Sequence, residues 1–212
     1  AAFLVRFIER IGLEKPLVVG HSLGGAITLA LALDHPDKIA GIALIAPLTR
    51  HRDDIPPEFA GLAIRSPWLR RLIAETISAP NAIKLGPRTL AFVFGPQQPP
   101  PDYAIAGGAM AALRPSHFYA SSTDFVAIEG VMAQLETRYG EIDMPAGMMF
   151  GTADRVIDCE AHGRYLAREM PALDAVLLEG VGHMPQYSHA DQTVALILHV
   201  AAVAFPARTR ND

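Results

Sequence analysis

The stretch LVVGHSLGGAITLALAL at residues 17–33 decides the fold class. Its three leading apolar residues predict a strand, its glycine-rich segment at 20–25 predicts a sharp turn, and the Ala- and Leu-rich segment at 26–33 predicts a helix. The apolar run at 39–46 then predicts a second strand that is buried on both faces. Two parallel strands joined by a helix indicate an α/β fold.

The same alternation of strands and helices returns after a long interruption. Residues 146–150 and 175–178 predict a third and a fourth strand, and helical patterns occupy residues 160–170 and 191–205. The chain from 47 to 140 is rich in proline and in helical patterns, with no convincing strand. We therefore predict a core of residues 1–46 and 141–212 that carries residues 47–140 as an inserted helical cap. The clearest cap helix follows Pro115, with one apolar face formed by Phe118, Phe125, Ile128, Met132, Leu135 and Tyr139.

Composition narrows the classes of partner. The chain has 212 residues, of which 50% are hydrophobic and 19% charged, with a net charge of −4. This balance excludes a disordered chain and offers no basic surface for nucleic acid, so a small-molecule partner is expected. The single cysteine, Cys159, excludes an internal disulfide, and no Cys/His cluster has the spacing of a metal site. Composition does not predict the oligomeric state.

No segment of the sequence predicts a membrane span. Every apolar run is interrupted before it reaches the roughly 20 residues that a bilayer requires. We therefore expect a cytoplasmic protein without a transmembrane segment. The chain begins at Ala1, inside a predicted helix, so a signal peptide upstream of it stays open.

The turn at residues 20–24 matches the pattern G-x-S-x-G, placed between a predicted strand and a predicted helix. That context presents a serine as an exposed nucleophile. A strand that turns directly into a helix holds Ser22 at strained backbone angles, and we expect side chains at Gly20 and Gly24 to collide with neighbouring backbone. The helix start directs its free N–H groups at developing negative charge, so the Leu23 backbone N–H is the predicted oxyanion donor.

A serine hydroxyl needs a base within hydrogen-bonding reach, and the base needs an acid that orients it. Asp154 follows the third predicted strand and His183 follows the fourth, so both should emerge at the same edge of the sheet as Ser22. Two other aspartates, Asp158 and Asp124, are alternative candidates for the orienting acid. Asp158 lies deeper into the next helix start, and Asp124 lies inside the cap helix pattern, so Asp154 is preferred to both.

His21 precedes the candidate nucleophile directly. Successive side chains of a strand point to opposite faces, so the alternation should turn His21 away from Ser22. We predict a buried structural histidine.

The cap offers further candidates, each with a structural alternative. We expect the Asp53–Asp54 and Arg70–Arg71 pairs to be solvated surface and Trp68 to be core. An apolar acyl pocket beneath the cap is predicted to use Phe118, Phe125 and Met132.

Three motifs resemble those of the α/β-hydrolase superfamily: GHSLGG at 20–25 resembles the nucleophile motif, GTADRVI at 151–157 the acid motif and GVGHMP at 180–185 the histidine motif. The similarity is greatest to bacterial esterase-like and lipase-like members. It implies an eight-stranded, mostly parallel sheet with the active site under a cap. Members carry four strands and a His-Gly-type oxyanion loop before the helix at which this chain begins. We therefore expect residues 1–212 alone to be a poorly soluble and nearly inactive fragment.

The resemblance also implies a reaction. It is serine-dependent hydrolysis of an ester or a related acyl substrate through Ser22, His183 and Asp154, without a metal or cofactor. The apolar cap predicts uncharged substrates. A serine at the turn argues against epoxide hydrolases and dehalogenases, which place an aspartate there. A ligand-binding protein on a hydrolase scaffold remains an alternative, as do a C–C bond hydrolase, a lactonase, an amidase and a perhydrolase.

Overall fold

The computed structural model describes residues 1–51 and 55–206, except for the side chain of Glu129. Four parallel strands form one sheet in the order β1-β2-β3-β4. The strands are β1 (Leu17–His21), β2 (Gly41–Ile45), β3 (Ala146–Gly151) and β4 (Asp174–Leu178). The helices are α1 (Ala2–Arg10), α2 (Leu23–Asp34), α3 (Pro67–Thr76), α4 (Ser78–Phe94), α5 (Pro115–Leu135), α6 (Tyr165–Glu169), α7 (Pro185–Ser188) and α8 (Ala190–Ala204).

The sheet is covered on both faces by helices. Side chains alternate along a strand, so Leu44 of β2 faces one side and Ile45 the other. Leu44 packs in a large apolar cluster with Leu29 of α2, whereas Ile45 packs in a separate cluster with Leu196 of α8. Burial on both faces explains why β2 and β3 are apolar along their whole length.

The described residues between β2 and β3 contain α3, α4, α5 and short 3₁₀ turns but no strand. α5 packs against α3 and α4, and it also reaches the core, where Met132 and Leu135 join the cluster that covers α2. The cap boundaries at 47 and 140 stay a prediction, and the Asp53–Asp54 pair lies outside the described residues.

Helix α3 corrects two expectations about the cap. Trp68 is 73% exposed rather than core, and Arg70 is buried rather than solvated. Two residues span about 200° around an α-helix, so these side chains point in opposite directions. Arg70 faces α5, and its Nε, Nη1 and Nη2 donate hydrogen bonds to Ser122 Oγ (3.0 Å), Thr123 Oγ1 (2.9 Å) and Ile64 O (2.6 Å). Arg71 is exposed, as expected.

Two helical predictions differ from the structure in detail. The helix expected at 160–170 is a π-helical turn at Cys159–Arg164 followed by the short α6. Tyr139 continues the apolar periodicity of α5 but lies beyond its end, in a 3₁₀ turn. Tyr139 is buried in the apolar core, and its hydroxyl donates to Thr49 O (2.6 Å). Its burial makes it apolar-facing at a helical spacing although it lies outside the helix.

Within the described residues, no helix is long and apolar enough to cross a bilayer. The same residues contain no group of three or more His, Cys, Asp or Glu side chains placed to hold a metal ion.

Candidate active site

Ser22 occupies the turn between β1 and α2 with φ of 54° and ψ of −120°. A positive φ is unfavourable for a residue with a side chain and is often found where function requires it. Backbone hydrogen bonds hold the turn: Ser22 N donates to Ile45 O (3.0 Å), and Ser22 O accepts from Gly25 N (2.9 Å) and Leu48 N (3.0 Å). The neighbouring strand therefore maintains the strained backbone.

Two glycines make this turn possible. A Cβ on Gly20 would lie 2.5 Å from Gly24 O, and a Cβ on Gly25 would lie 2.5 Å from Pro47 Cβ. Gly24, in contrast, has open space around its Cβ position, so the expected collision there is wrong. The second crowded glycine is Gly25, because it lies where α2 meets the chain that leaves β2.

Asp154 and His183 form a buried hydrogen-bonded pair. His183 Nδ1 donates to Asp154 Oδ2 at 2.7 Å, and the two side chains are 0% exposed for the aspartate and 4% for the histidine. The other oxygen, Asp154 Oδ1, accepts from Val156 N (2.8 Å) and Ile157 N (3.0 Å). With Nδ1 protonated toward the carboxylate, the neutral imidazole keeps Nε2 as its free acceptor.

A cavity of about 650 Å³ lies between Ser22 and His183. Ser22, Leu23 and His183 line it, while Asp154 lies outside its lining. Among the hydrogen bonds of the described residues, none joins Ser22 Oγ to His183 Nε2; such bonds often tighten only in the substrate complex. Most of the remaining lining is apolar: Leu48, Ile55, Pro56, Phe59, Leu62, Val93, Phe125, Ile128, Met132, Val156, Ile157 and Met184.

The structure places two of the three predicted pocket residues in the cavity wall. Phe125 and Met132 line the cavity, whereas Phe118 does not and His117 lies there instead. Helical periodicity identifies the apolar face of α5 but not the neighbours of each residue on it. Phe118 lies in the first turn of α5, at the end of this apolar face, and α5 also packs beside α3.

Neither alternative acid lines the cavity. Asp158 caps the following helical turn, where its Oδ1 accepts from Ala161 N at 2.7 Å. Asp124 is exposed on α5.

His21 does not point away from the site, contrary to the prediction. The positive φ at Ser22 interrupts the strand alternation, so His21 lines the same cavity as its neighbour. Its ring centroid lies 4.8 Å from that of His183, and its Nε2–H donates to His183 O at 3.0 Å. Burial, and then the proximity of His183, lower the pKa of His21 to about 4. His21 is therefore neutral at pH 7 and supports the His183 loop.

Gln97, which the sequence did not indicate, also supports this loop. Its Nε2 donates to Gly180 O (2.9 Å) and its Oε1 accepts from Gly182 N (2.8 Å). A Cβ on Gly182 would collide with Gly95 O, so the two segments are in direct contact. Gln97 lies in a proline-rich stretch with no local pattern, and only its contacts across the fold reveal it.

Comparisons with known proteins identify the family to which the chain is similar. The family model described as alpha/beta hydrolase fold matches residues 1–190. The chain is 30% identical over 179 residues to a pimeloyl-[acyl-carrier protein] methyl ester esterase of Chromobacterium violaceum, covering 82% of this chain and 62% of that protein. It is 24% identical over 198 residues to a 2-hydroxy-6-oxononadienedioate/2-hydroxy-6-oxononatrienedioate hydrolase of Dechloromonas aromatica, covering 93% and 66%. The chain thus spans about two thirds of the length of these relatives.

A solved structure gives the same result for the fold. An alpha/beta hydrolase fold protein from Burkholderia ambifaria superimposes with a TM-score of 0.70 at 16% identity, over 93% of this chain and 70% of that one. The predicted fold class, with its mostly parallel sheet, is confirmed. The chain belongs to the α/β-hydrolase fold family.

Proposed function

We propose that this chain carries the nucleophile, base and orienting acid of a serine hydrolase that acts on carboxylic esters. One observation carries the proposal: a buried Asp154–His183 pair opens onto the same cavity as a serine held at positive φ. A buried carboxylate with two backbone donors and one imidazole donor is built to orient that imidazole.

The proposed reaction proceeds in two halves. His183 Nε2 takes the proton of Ser22 Oγ as the oxygen attacks the ester carbonyl, and the Leu23 N–H at the start of α2 stabilises the oxyanion. The intermediate collapses, His183 donates that proton to the departing alcohol, and an acyl-serine remains. Water, deprotonated by His183, then attacks the acyl-serine, and its collapse returns the proton to Ser22 and releases the carboxylic acid.

The cavity favours a substrate with an apolar body. Aliphatic and aromatic side chains of the insert and of the core form most of its surface. The methyl ester esterase of Chromobacterium violaceum supports an ester as the reacting group.

C–C bond hydrolysis is the second candidate. It is favoured by the similarity to the Dechloromonas aromatica hydrolase, whose name denotes an unsaturated oxo-dicarboxylate substrate. Assays of one p-nitrophenyl ester and one such dienedioate with the same preparation distinguish the two, because the preferred reaction should have the larger kcat/KM.

The test of the proposal uses Ser22→Ala beside Ser116→Ala, which removes an exposed hydroxyl from α5. We expect Ser22→Ala to lose p-nitrophenyl ester hydrolysis by a factor of about 10⁴ or more, together with labelling by a fluorophosphonate. Ser116→Ala should retain both. Hydrolysis that survives in Ser22→Ala would contradict the proposal, and ligand binding without turnover in the unmodified protein would favour a binding protein instead.

A further inference from the structure

Arg50 lies on the cavity wall, on a short segment whose backbone is fixed close to Ser22. Leu48 N donates to Ser22 O (3.0 Å). Arg50 follows two residues later, so its Cα lies at most about 7 Å from the Cα of Leu48. The backbone N–H groups of Thr49 and Arg50 both donate to Nδ1 of the buried His162, each at 3.2 Å. Arg50 therefore projects from a well-anchored position beside the candidate nucleophile.

The Arg50 guanidinium is oriented, yet its Nε donor is unused. Its Cζ lies 4.5 Å from the centroid of the Tyr165 ring, and its Nε lies 3.6 Å from Glu136 Oε2, an ion pair without a hydrogen bond. Nε is buried and has no hydrogen-bond partner in the described part of the chain. Tyr165 and Glu136 are themselves fixed, because Tyr165 Oη donates to Glu136 O (2.9 Å) and Glu136 Oε2 accepts from His51 N (3.0 Å).

Arg70, which is buried, shows what a structural guanidinium looks like in this fold, whereas the Arg50 side chain is 42% exposed and only its Nε is buried. Each nitrogen of the Arg70 guanidinium donates to an oxygen of the protein. Buried polar groups are normally satisfied in this way, so an oriented guanidinium with a buried, unused donor requires an explanation. In Arg50, Nε faces Glu136, and Nη1 and Nη2 form no hydrogen bond within the described residues. Because Arg50 lines the cavity, a ligand there can supply acceptors for these two nitrogens.

The charge of the cavity indicates the ligand. Its described lining includes Arg50, His51 and His117 but no Asp or Glu. An anionic group would therefore meet a cation and no lining carboxylate in the described part of the wall. A planar guanidinium stacked on an aromatic ring offers paired N–H groups that match the two oxygens of a carboxylate.

We propose that Arg50 is a substrate-binding residue that holds a carboxylate, so that the preferred substrate is an ester with an apolar body that ends in a carboxylate. The inference rests on the proposed ester hydrolysis for its chemistry, and it departs from the expectation of an uncharged substrate. Glu136 neighbours the Nε side of the guanidinium and leaves the Nη donors for the ligand.

The test compares matched esters. Mono-p-nitrophenyl esters of succinate, glutarate and adipate are paired with neutral p-nitrophenyl esters of the same chain length. For the best carboxylate ester, Arg50→Met should lower kcat/KM by about tenfold to a hundredfold, the effect of charge-assisted hydrogen bonds. Hydrolysis of the neutral partner should change by less than about threefold. Arg50→Lys should recover part of the loss, and Arg71→Met, which removes an exposed cation of α3, should leave both rates unchanged.

The outcomes separate this inference from the proposed function. If the unmodified protein hydrolyses both esters but Arg50→Met lowers both equally or neither, Arg50 does not bind the carboxylate, and the serine hydrolase stands. If the full-length protein hydrolyses neither ester, the proposed function fails. The carboxylate site is then decided by calorimetry of glutarate binding to Ser22→Ala with and without Arg50→Met. Binding that is lost with Arg50 supports the site, whereas undetectable glutarate binding, or tighter binding of inorganic phosphate, overturns it.

Discussion

Replacing Asp154 by asparagine gives the sharpest test of the candidate site, because the structure determines which way the amide must face. Asp154 Oδ1 accepts two backbone N–H groups, from Val156 and Ile157, whereas Oδ2 accepts from His183 Nδ1. The amide oxygen of the introduced asparagine will occupy the position with two donors, since an NH₂ group there would leave both of them unsatisfied. The amide NH₂ group must then face His183 Nδ1.

A donor at that position forces His183 into the wrong tautomer. Nδ1 must become an acceptor, so the neutral ring carries its proton on Nε2 and cannot take the proton of Ser22. Loss of about 10⁴ in kcat follows such a change in a comparable triad, equivalent to about 5.5 kcal/mol of transition-state stabilisation. We expect a loss of this order, with little change in KM.

The assay measures kcat and KM for a p-nitrophenyl ester and the rate of fluorophosphonate labelling, with far-UV circular dichroism to establish folding. Asp158→Asn is the matched control, since Asp158 accepts from Ala161 N and does not line the cavity. Its activity should stay within about threefold of the unmodified protein, because the amide oxygen of the introduced asparagine can still accept the hydrogen bond from Ala161 N. An Asp154→Asn variant with more than about a tenth of normal activity, or an Asp158→Asn variant with the larger loss, would refute the reasoning.

Three further outcomes can be measured. Ser22→Gly should abolish ester hydrolysis yet raise the free energy of unfolding by about 1 kcal/mol, because glycine relieves the positive φ; an unchanged or lower Tm contradicts this. Gln97→Ala should lower both kcat and stability, the latter by about 1–3 kcal/mol, through two lost bonds to the His183 loop, whereas the exposed neighbour substitution Gln98→Ala should be neutral in the same assays. The pKa of His21 falls from 6.5 to about 4 on folding, so the unfolded chain binds this proton at a higher pH than the folded chain does. The free energy of unfolding should therefore decrease as the pH falls from 6.5 towards 4. His21→Gln should flatten that part of the stability profile in denaturant titrations, and an equally steep profile would exclude His21 as its source.

Local patterns in the sequence were sufficient for the sheet and for the turn that carries Ser22. All four strands lie within two residues of their predicted bounds, because each is a short apolar run between residues that end strands. The loops with Asp154 and His183 follow from chain order in a parallel sheet, whose carboxyl ends share one edge. Membership of the α/β-hydrolase fold family is confirmed, while the roles of the three residues stay a prediction.

The tertiary structure alone decided which side chains face the cavity and which groups support it. Trp68 and Arg70 have the same local context on α3, and only the packing of α5 determines that the arginine is inside. Gln97 and the His183 loop are more than 80 residues apart in the chain, so no local period connects them. Secondary structure depends on neighbours within a turn or a strand, whereas burial, orientation and hydrogen-bond partners depend on contacts between distant segments.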